Sequence, residues 1–172
     1  MNIKKLLKML NSVNRSEILD SLYEIGGNHD LVINPSDVLI EKMVDLLNHT
    51  DADIREQVVS VLGIHYREKK IFTKLINMID EDEKDQSVLI VIVNALGSIA
   101  SKYPERKDIA LRSLSRIVIN EELDSNLRGS AYIEILRLEK NISINEYAAH
   151  STNIDTINVN KNLINRYLVS EP

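Results

Sequence analysis

The sequence contains no cysteine or tryptophan, and its 172 residues include one phenylalanine, 5 glycines and 3 prolines. Without cysteine, the chain cannot form disulfides, thiolate metal sites or a cysteine nucleophile. Scarce glycine leaves little material for phosphate-binding loops, and scarce turn residues argue against a sandwich or barrel of many strands. The composition therefore favours helices and excludes several classes of active site.

Positive charge and long apolar runs are scarce as well. Lysine and arginine number 21 against 26 aspartates and glutamates, a net charge of −5, so we do not expect nucleic-acid binding. The longest apolar run, Val88–Val93, is far shorter than the roughly 20 residues that span a bilayer. Lys8 interrupts the first apolar residues, which argues against a secretory signal. We therefore expect a cytoplasmic protein that binds no membrane.

An internal repeat is the main positive feature of the chain. Three segments carry apolar residues at positions i, i+4 and i+8, a spacing that is typical of a helix buried along one side. The aligned residues are Ile54, Val58 and Leu62, then Val88, Ile92 and Leu96, then Leu127, Ala131 and Ile135. Another amphipathic stretch precedes each segment, at 38–47, 71–79 and 109–119.

Each unit therefore predicts two antiparallel helices, which we call the A helix and the B helix. Because one such pair cannot bury both of its faces, neighbouring pairs must stack. The predicted fold class is all-α, a right-handed α-solenoid of about four to five helix pairs in a single domain. Residues 36–140 would form the core repeats, between an N-terminal capping pair at 1–35 and a C-terminal cap at 141–172. The run at 88–93 would also suit a strand, but its apolar continuation favours a long helix.

The B segments also carry a sequence motif. An acidic turn precedes an aliphatic residue and arginine, and Leu-Gly follows, as in Ile54-Arg55 and Leu62-Gly63. This pattern resembles the HEAT family, particularly its short repeats of the phycobilisome-lyase type, over about residues 36–140. The second unit has Leu89 where arginine is usual, and the third has Ile135-Leu136 in place of Leu-Gly. The resemblance implies a ladder of Asp–Arg pairs between neighbouring turns, through Arg55 and Arg128, but it implies no particular activity.

The chain lacks the motifs of common catalytic sites. None of the four histidines belongs to a His-Glu pair, which HEAT-like di-iron hydroxylases use, and no phosphate-binding glycine motif occurs. HEAT-like DNA glycosylases combine a basic concave surface with aromatic residues, whereas this chain is acidic. His49, Asp51 and Asp53 could gather a divalent cation, but helix capping explains the same residues. We therefore predict no catalytic residue, no metal and no cofactor.

Two surfaces are candidates for binding a partner. B helices of such a stack line its concave side, so the predicted B-helix face comprises Glu56, Ser60, Ile90, Asn94, Ile133 and Arg137. Its two isoleucines are expected to form an exposed apolar centre, unless terminal helices cover them. The predicted acidic rim would attract a basic partner and consists of Glu81, Asp82, Glu83, Asp85, Glu121 and Glu122. Solvated turns are the alternative explanation of that rim.

These features favour a non-catalytic protein–protein interaction module whose partner has a basic surface. A more specific hypothesis is a bacterial immunity protein or antitoxin-like inhibitor of a basic nuclease-type toxin. The alternatives are a HEAT-like enzyme or enzyme accessory, of the lyase or DNA glycosylase type, and a scaffold subunit of a larger complex.

Overall fold

The computed structural model describes residues 2–33, 36–149 and 152–168, and over these ranges the protein contains helices and no strand. The all-α prediction is confirmed. None of the described helices is both long and apolar enough to cross a membrane. The α-helices are α1 Ile3–Leu10, α2 Arg15–Gly27, α3 His29–Ile33, α4 Asp37–Leu46, α5 Ala52–Val59, α6 Phe72–Asn77, α7 Gln86–Lys102, α8 Lys107–Ile119, α9 Ser125–Leu138, α10 Ile144–Ala149 and α11 Lys161–Leu168.

Two of these helices continue as wider π-helical turns. Ser60–His65 extends α5, and Met78–Asp82 extends α6. Short 3-10 turns lie at Lys69–Ile71, Pro104–Arg106 and Ile154–Thr156. The apolar run at 88–93 lies inside α7 and is helical, so the alternative of a strand is wrong.

The predicted B helices begin at aspartate caps. Asp51, Asp85 and Asp124 directly precede α5, α7 and α9, and each carboxylate accepts a hydrogen bond from a backbone N–H two or three residues later. Such caps satisfy donors that have no partner inside the helix, and a negative charge is favourable at this end. The acidic turns therefore define where the B helices start.

The helices α2, α5, α7 and α9 form a row in which each contacts the next. The apolar stripes predicted from the repeat face the interior, and Ile54, Val88 and Ile92 are fully buried. The A helices α1, α4, α6 and α8 each contact the B helix that follows them. The helix α7 contributes eight buried residues and packs against both of its neighbours in the row.

Glycine allows the closest approaches within this row. A Cβ atom on Gly63 would lie 2.3 Å from Cβ of Ala95 in α7, and one on Gly97 would lie 1.7 Å from Oε2 of Glu134 in α9. Both distances are too short for non-bonded atoms. The Leu-Gly pairs of the first two units therefore have a packing role, since each glycine leaves space for a side chain of the next B helix.

The C-terminal part of the chain packs on α8 and α9. The carbonyl oxygen of Thr152 occupies the space beside Gly129, where a Cβ atom would come within 1.7 Å of it. The backbone N–H of Asn160 donates to the Tyr132 hydroxyl at 2.9 Å, and α11 packs against α8. The helix α9, the last predicted B helix, therefore packs against C-terminal chain that does not form another A and B helix pair.

Candidate partner-binding surface

The part of the predicted B-helix face on α5 and α7 is accessible. Glu56 and Ser60 lie four residues apart on α5 and its extension, and Ile90 and Asn94 have the same spacing on α7. This spacing places each pair on one side of its helix. All four residues are half-buried, and their two helices are in contact. The structure therefore places these four residues on two helices that are in contact, with part of each open to solvent.

The part of this face on α9 is different. Ile133 is only 4% exposed, so the prediction that it belongs to an exposed apolar centre is wrong. Every residue from 129 to 135 is buried, because α7 contacts one side of α9 while α8 and the chain around Thr152 contact others. The alternative was that terminal helices cover this face, and the C-terminal chain at Thr152 does pack against α9 beside Gly129. Apart from Arg137, the accessible residues of the predicted face lie on α5 and α7.

Arg137 is partly accessible, with 27% of its side chain exposed, and it belongs to a polar cluster. Its Nε donates to Oε2 of Glu134 at 3.0 Å, and its Nη1 donates to the Ser101 hydroxyl at 2.7 Å. The Tyr147 hydroxyl donates to Oε1 of Glu134 at 2.6 Å, and the guanidinium lies 5.6 Å from the centre of the Tyr147 ring. The cluster thus joins α7, α9 and α10.

Glu134 is the buried acid of this cluster, and only 1% of its side chain is exposed. Burial raises its pKa above the ordinary glutamate value, although the Arg137 charge and the hydrogen bonds from Arg137 and Tyr147 act in the opposite direction. Both carboxylate oxygens have partners, so the arrangement holds three helices together. Sequence reasoning missed Glu134, although its i, i+3 spacing to Arg137 was a usable signal.

Glu83 is not part of a solvated rim, and its assignment there is wrong. The residue is 7% exposed and accepts two hydrogen bonds from Arg55, from Nε and Nη2, each at 2.7 Å. The backbone N–H groups of Lys84 and Asp85 also donate to it. Burial alone would raise the pKa of Glu83, but these hydrogen bonds and the Arg55 charge outweigh it and lower the pKa. Glu83 therefore connects α5 to the turn before α7.

The other rim residues have separate positions. Asp85 is half-buried and caps α7, so much of its charge acts locally on the helix start. Glu121 and Glu122 are exposed. Glu81 and Asp82 lie in the π-helical turn after α6, and their side chains fall outside the described part of the structure. Of the predicted acidic rim, Glu121 and Glu122 are thus the described side chains that face solvent freely.

The two acidic turns nevertheless come together. A cavity of about 370 Å³ is lined by Asp80 and Lys84 from the turn after α6 and by Asn120 and Leu123 from the turn after α8. Leu89, which stands at the position of the repeat arginine, also lines it. Leu89 and Ile90 are consecutive residues of α7, so one wall of this cavity belongs to a helix that also carries part of the open B-helix face.

The residues considered for a cation have other partners. The Asp51 carboxylate caps Ile54 and accepts from Nε of Arg15 at 2.8 Å, and Asp53 also pairs with Arg15. Nδ1 of His49 accepts from the backbone N–H of Asp51 at 3.0 Å. Within the described ranges, no group of three histidine or acidic side chains is arranged to hold a metal ion.

Comparison of the chain with models of known protein families, with curated proteins and with solved structures gave no match. A functional proposal for this protein therefore depends on the geometry and charge of its own surfaces.

Proposed function

We propose that the protein is a non-catalytic protein-binding module, built as a HEAT-like right-handed α-solenoid, whose partner presents a basic surface. The observation that carries this proposal is that α7, which carries part of the open face, also lines the cavity between two acidic turns. An accessible aliphatic residue with polar residues near it suits the centre of a protein interface, and half-buried Ile90 shares one side of α7 with Asn94.

The charge of the surface supports a basic partner. Glu121 and Glu122 are exposed in the turn after α8, whose residues Asn120 and Leu123 line the first cavity, and no described residue forms an ion pair with either. Together with the net charge of −5, they favour fast association with a positively charged protein. A bacterial immunity protein or antitoxin that masks a basic nuclease, in the cytoplasm, is the specific form of this proposal.

Affinity capture from the native cytosol, followed by mass spectrometry, tests the proposal. We expect a stoichiometric basic protein whose binding weakens at high salt. The double substitution Glu121→Lys and Glu122→Lys should slow association by roughly tenfold, because it reverses the charge of an exposed acidic turn.

The matched control is the double substitution Glu41→Lys and Asp45→Lys. Both residues are exposed on α4, and the control changes the net charge by the same amount at a different surface. It should leave the association rate nearly unchanged. The absence of a stoichiometric partner, or equal effects of the two double variants, would contradict the proposal.

A further inference from the structure

A second cavity, of about 280 Å³, lies between the end of α8, the start of α9 and the C-terminal part of the chain. Its wall is largely aliphatic and includes the buried residues Val118, Ile154 and Ile164. Two cationic side chains, Arg128 from α9 and Lys161 from α11, also line it. An apolar cavity with a few convergent charged groups is the usual form of a small-molecule site.

Two other helices of this row also carry an arginine in their first turn, and the partners of those arginines are known. Arg55 is the fourth residue of α5, and it binds Glu83 from the turn before the next B helix. Arg15, in the first turn of α2, binds Asp51 and Asp53 at the start of α5. In both cases the arginine holds a carboxylate that the next B helix or its preceding turn supplies.

Arg128 is the fourth residue of α9, the last helix of this row. Its Nε donates to the carbonyl oxygen of Val118 at 3.0 Å. Among the residues that the structure describes, no carboxylate pairs with Arg128, and none accepts from its terminal nitrogens. Glu121 lines the same cavity but forms no ion pair with Arg128 or Lys161. The guanidinium therefore has donors available toward the cavity.

We propose that this cavity binds a short aliphatic monocarboxylate. The ligand carboxylate accepts hydrogen bonds from the terminal nitrogens of Arg128, whose Nε is held by Val118, and Lys161 supplies a second positive charge. The aliphatic chain of the ligand packs against Val118, Ile154 and Ile164. The volume is slightly below the range of drug-sized pockets, so it suits a chain of about six carbons. This site shares Glu121 with the proposed protein-binding surface, but ligand binding here does not depend on a protein partner.

Titration of the full-length, 15N-labelled chain with hexanoate, followed by NMR, tests the site. We expect saturable shifts of amide signals from Arg128, Lys161 and Asn165, which surround the cavity. Hexan-1-ol lacks the charge, and acetate lacks the chain. Each should bind at least about tenfold more weakly, because a charge-assisted hydrogen bond and the burial of several CH₂ groups each contribute that much.

Variants then assign the contact. Arg128→Gln should weaken hexanoate binding by about tenfold or more, and Lys161→Gln, at an exposed position, should weaken it several-fold. Glu121→Gln should strengthen binding, since it removes a negative charge from the cavity. Arg116→Gln, an exposed arginine at the other cavity, is the matched control and should have no effect. Shifts that do not saturate, or that persist unchanged in both Arg128→Gln and Lys161→Gln, would overturn the proposal.

Discussion

Single acidic residues in the turns of this chain have different roles that depend on their nearest neighbours. Asp85 faces free backbone N–H groups at the start of α7 and caps the helix, whereas Glu83, two residues earlier, is held by Arg55. A buried carboxylate needs such partners because loss of hydration raises its energy. The resemblance implied an aspartate as the partner of Arg55, and the structure has a glutamate there.

Replacement of Glu83 by glutamine should lower the free energy of unfolding by about 2 kcal/mol at pH 7, because the charged pair with Arg55 is lost. The folded state lowers the pKa of Glu83, so the pair stabilises the protein above the ordinary glutamate pKa. That contribution is lost as the pH falls through the lowered pKa. Urea unfolding of the wild type and the variant should therefore differ at pH 7 and converge at an acidic pH well below that lowered pKa.

Glu121→Gln is the control for this measurement. Glu121 is exposed, so its substitution should change the unfolding free energy by less than about 0.5 kcal/mol at either pH. An equal effect of the two substitutions at pH 7 would show that the contact with Arg55 does not stabilise the fold.

At the scale of helices, small residues determine how closely neighbours approach. Gly63 and Gly97 admit the next B helix, whereas Gly129 admits the backbone at Thr152. The third unit has no Leu-Gly pair, and its glycine, Gly129, lies earlier in the helix. The row ends at this helix. Whereas α5 and α7 each contact a following B helix, α9 contacts the C-terminal chain at Thr152.

Gly129→Ala should lower the free energy of unfolding by about 1–3 kcal/mol, because the new methyl group must displace the Thr152 carbonyl. Hydrogen exchange of residues 152–157 should accelerate in the same variant. Gly27→Ala is the matched control, since an added Cβ there has no neighbouring atom within 4 Å. It should be neutral or stabilising by up to about 1 kcal/mol. Equal stability of the Gly129→Ala variant and the wild type would contradict this account of the contact.

At the scale of the whole molecule, packing is deepest at α7. Eight of its 17 residues are buried, and it contacts α5 and its extension on one side and α9 on the other. The helices α1 and α11 lie at opposite ends of the described fold, and each has two buried residues. Local opening requires the least free energy where few apolar contacts are broken.

Native-state hydrogen exchange should therefore be slowest in α7 and more than about tenfold faster in α1 and α11. Mass spectrometry of peptides from these three helices measures the difference. Comparable protection of α7 and α11 would instead indicate that the helices open together in one cooperative transition.

Periodicity in the sequence was sufficient to predict most of the helices and of the core, but not α3, which occupies a stretch predicted to be a loop. Apolar spacing depends only on the helical repeat, so Ile54, Val88 and Leu127 could be assigned to the interior before any contact was known. The candidate surface was harder to predict, because exposure depends on what lies opposite a residue. Ile90 and Ile133 both lie on the predicted B-helix face, and the first is half-buried while the second is buried.

The sequence by itself determined an acidic, cysteine-free, all-helical chain, because composition and local periodicity are sufficient for those properties. Only the tertiary structure decided that Glu83 is an internal partner of Arg55, that the C-terminal chain covers α9, and that Arg128 faces a cavity without a paired carboxylate. These outcomes depend on contacts between residues that are distant in the chain. Such contacts leave no regular spacing from which they could be predicted.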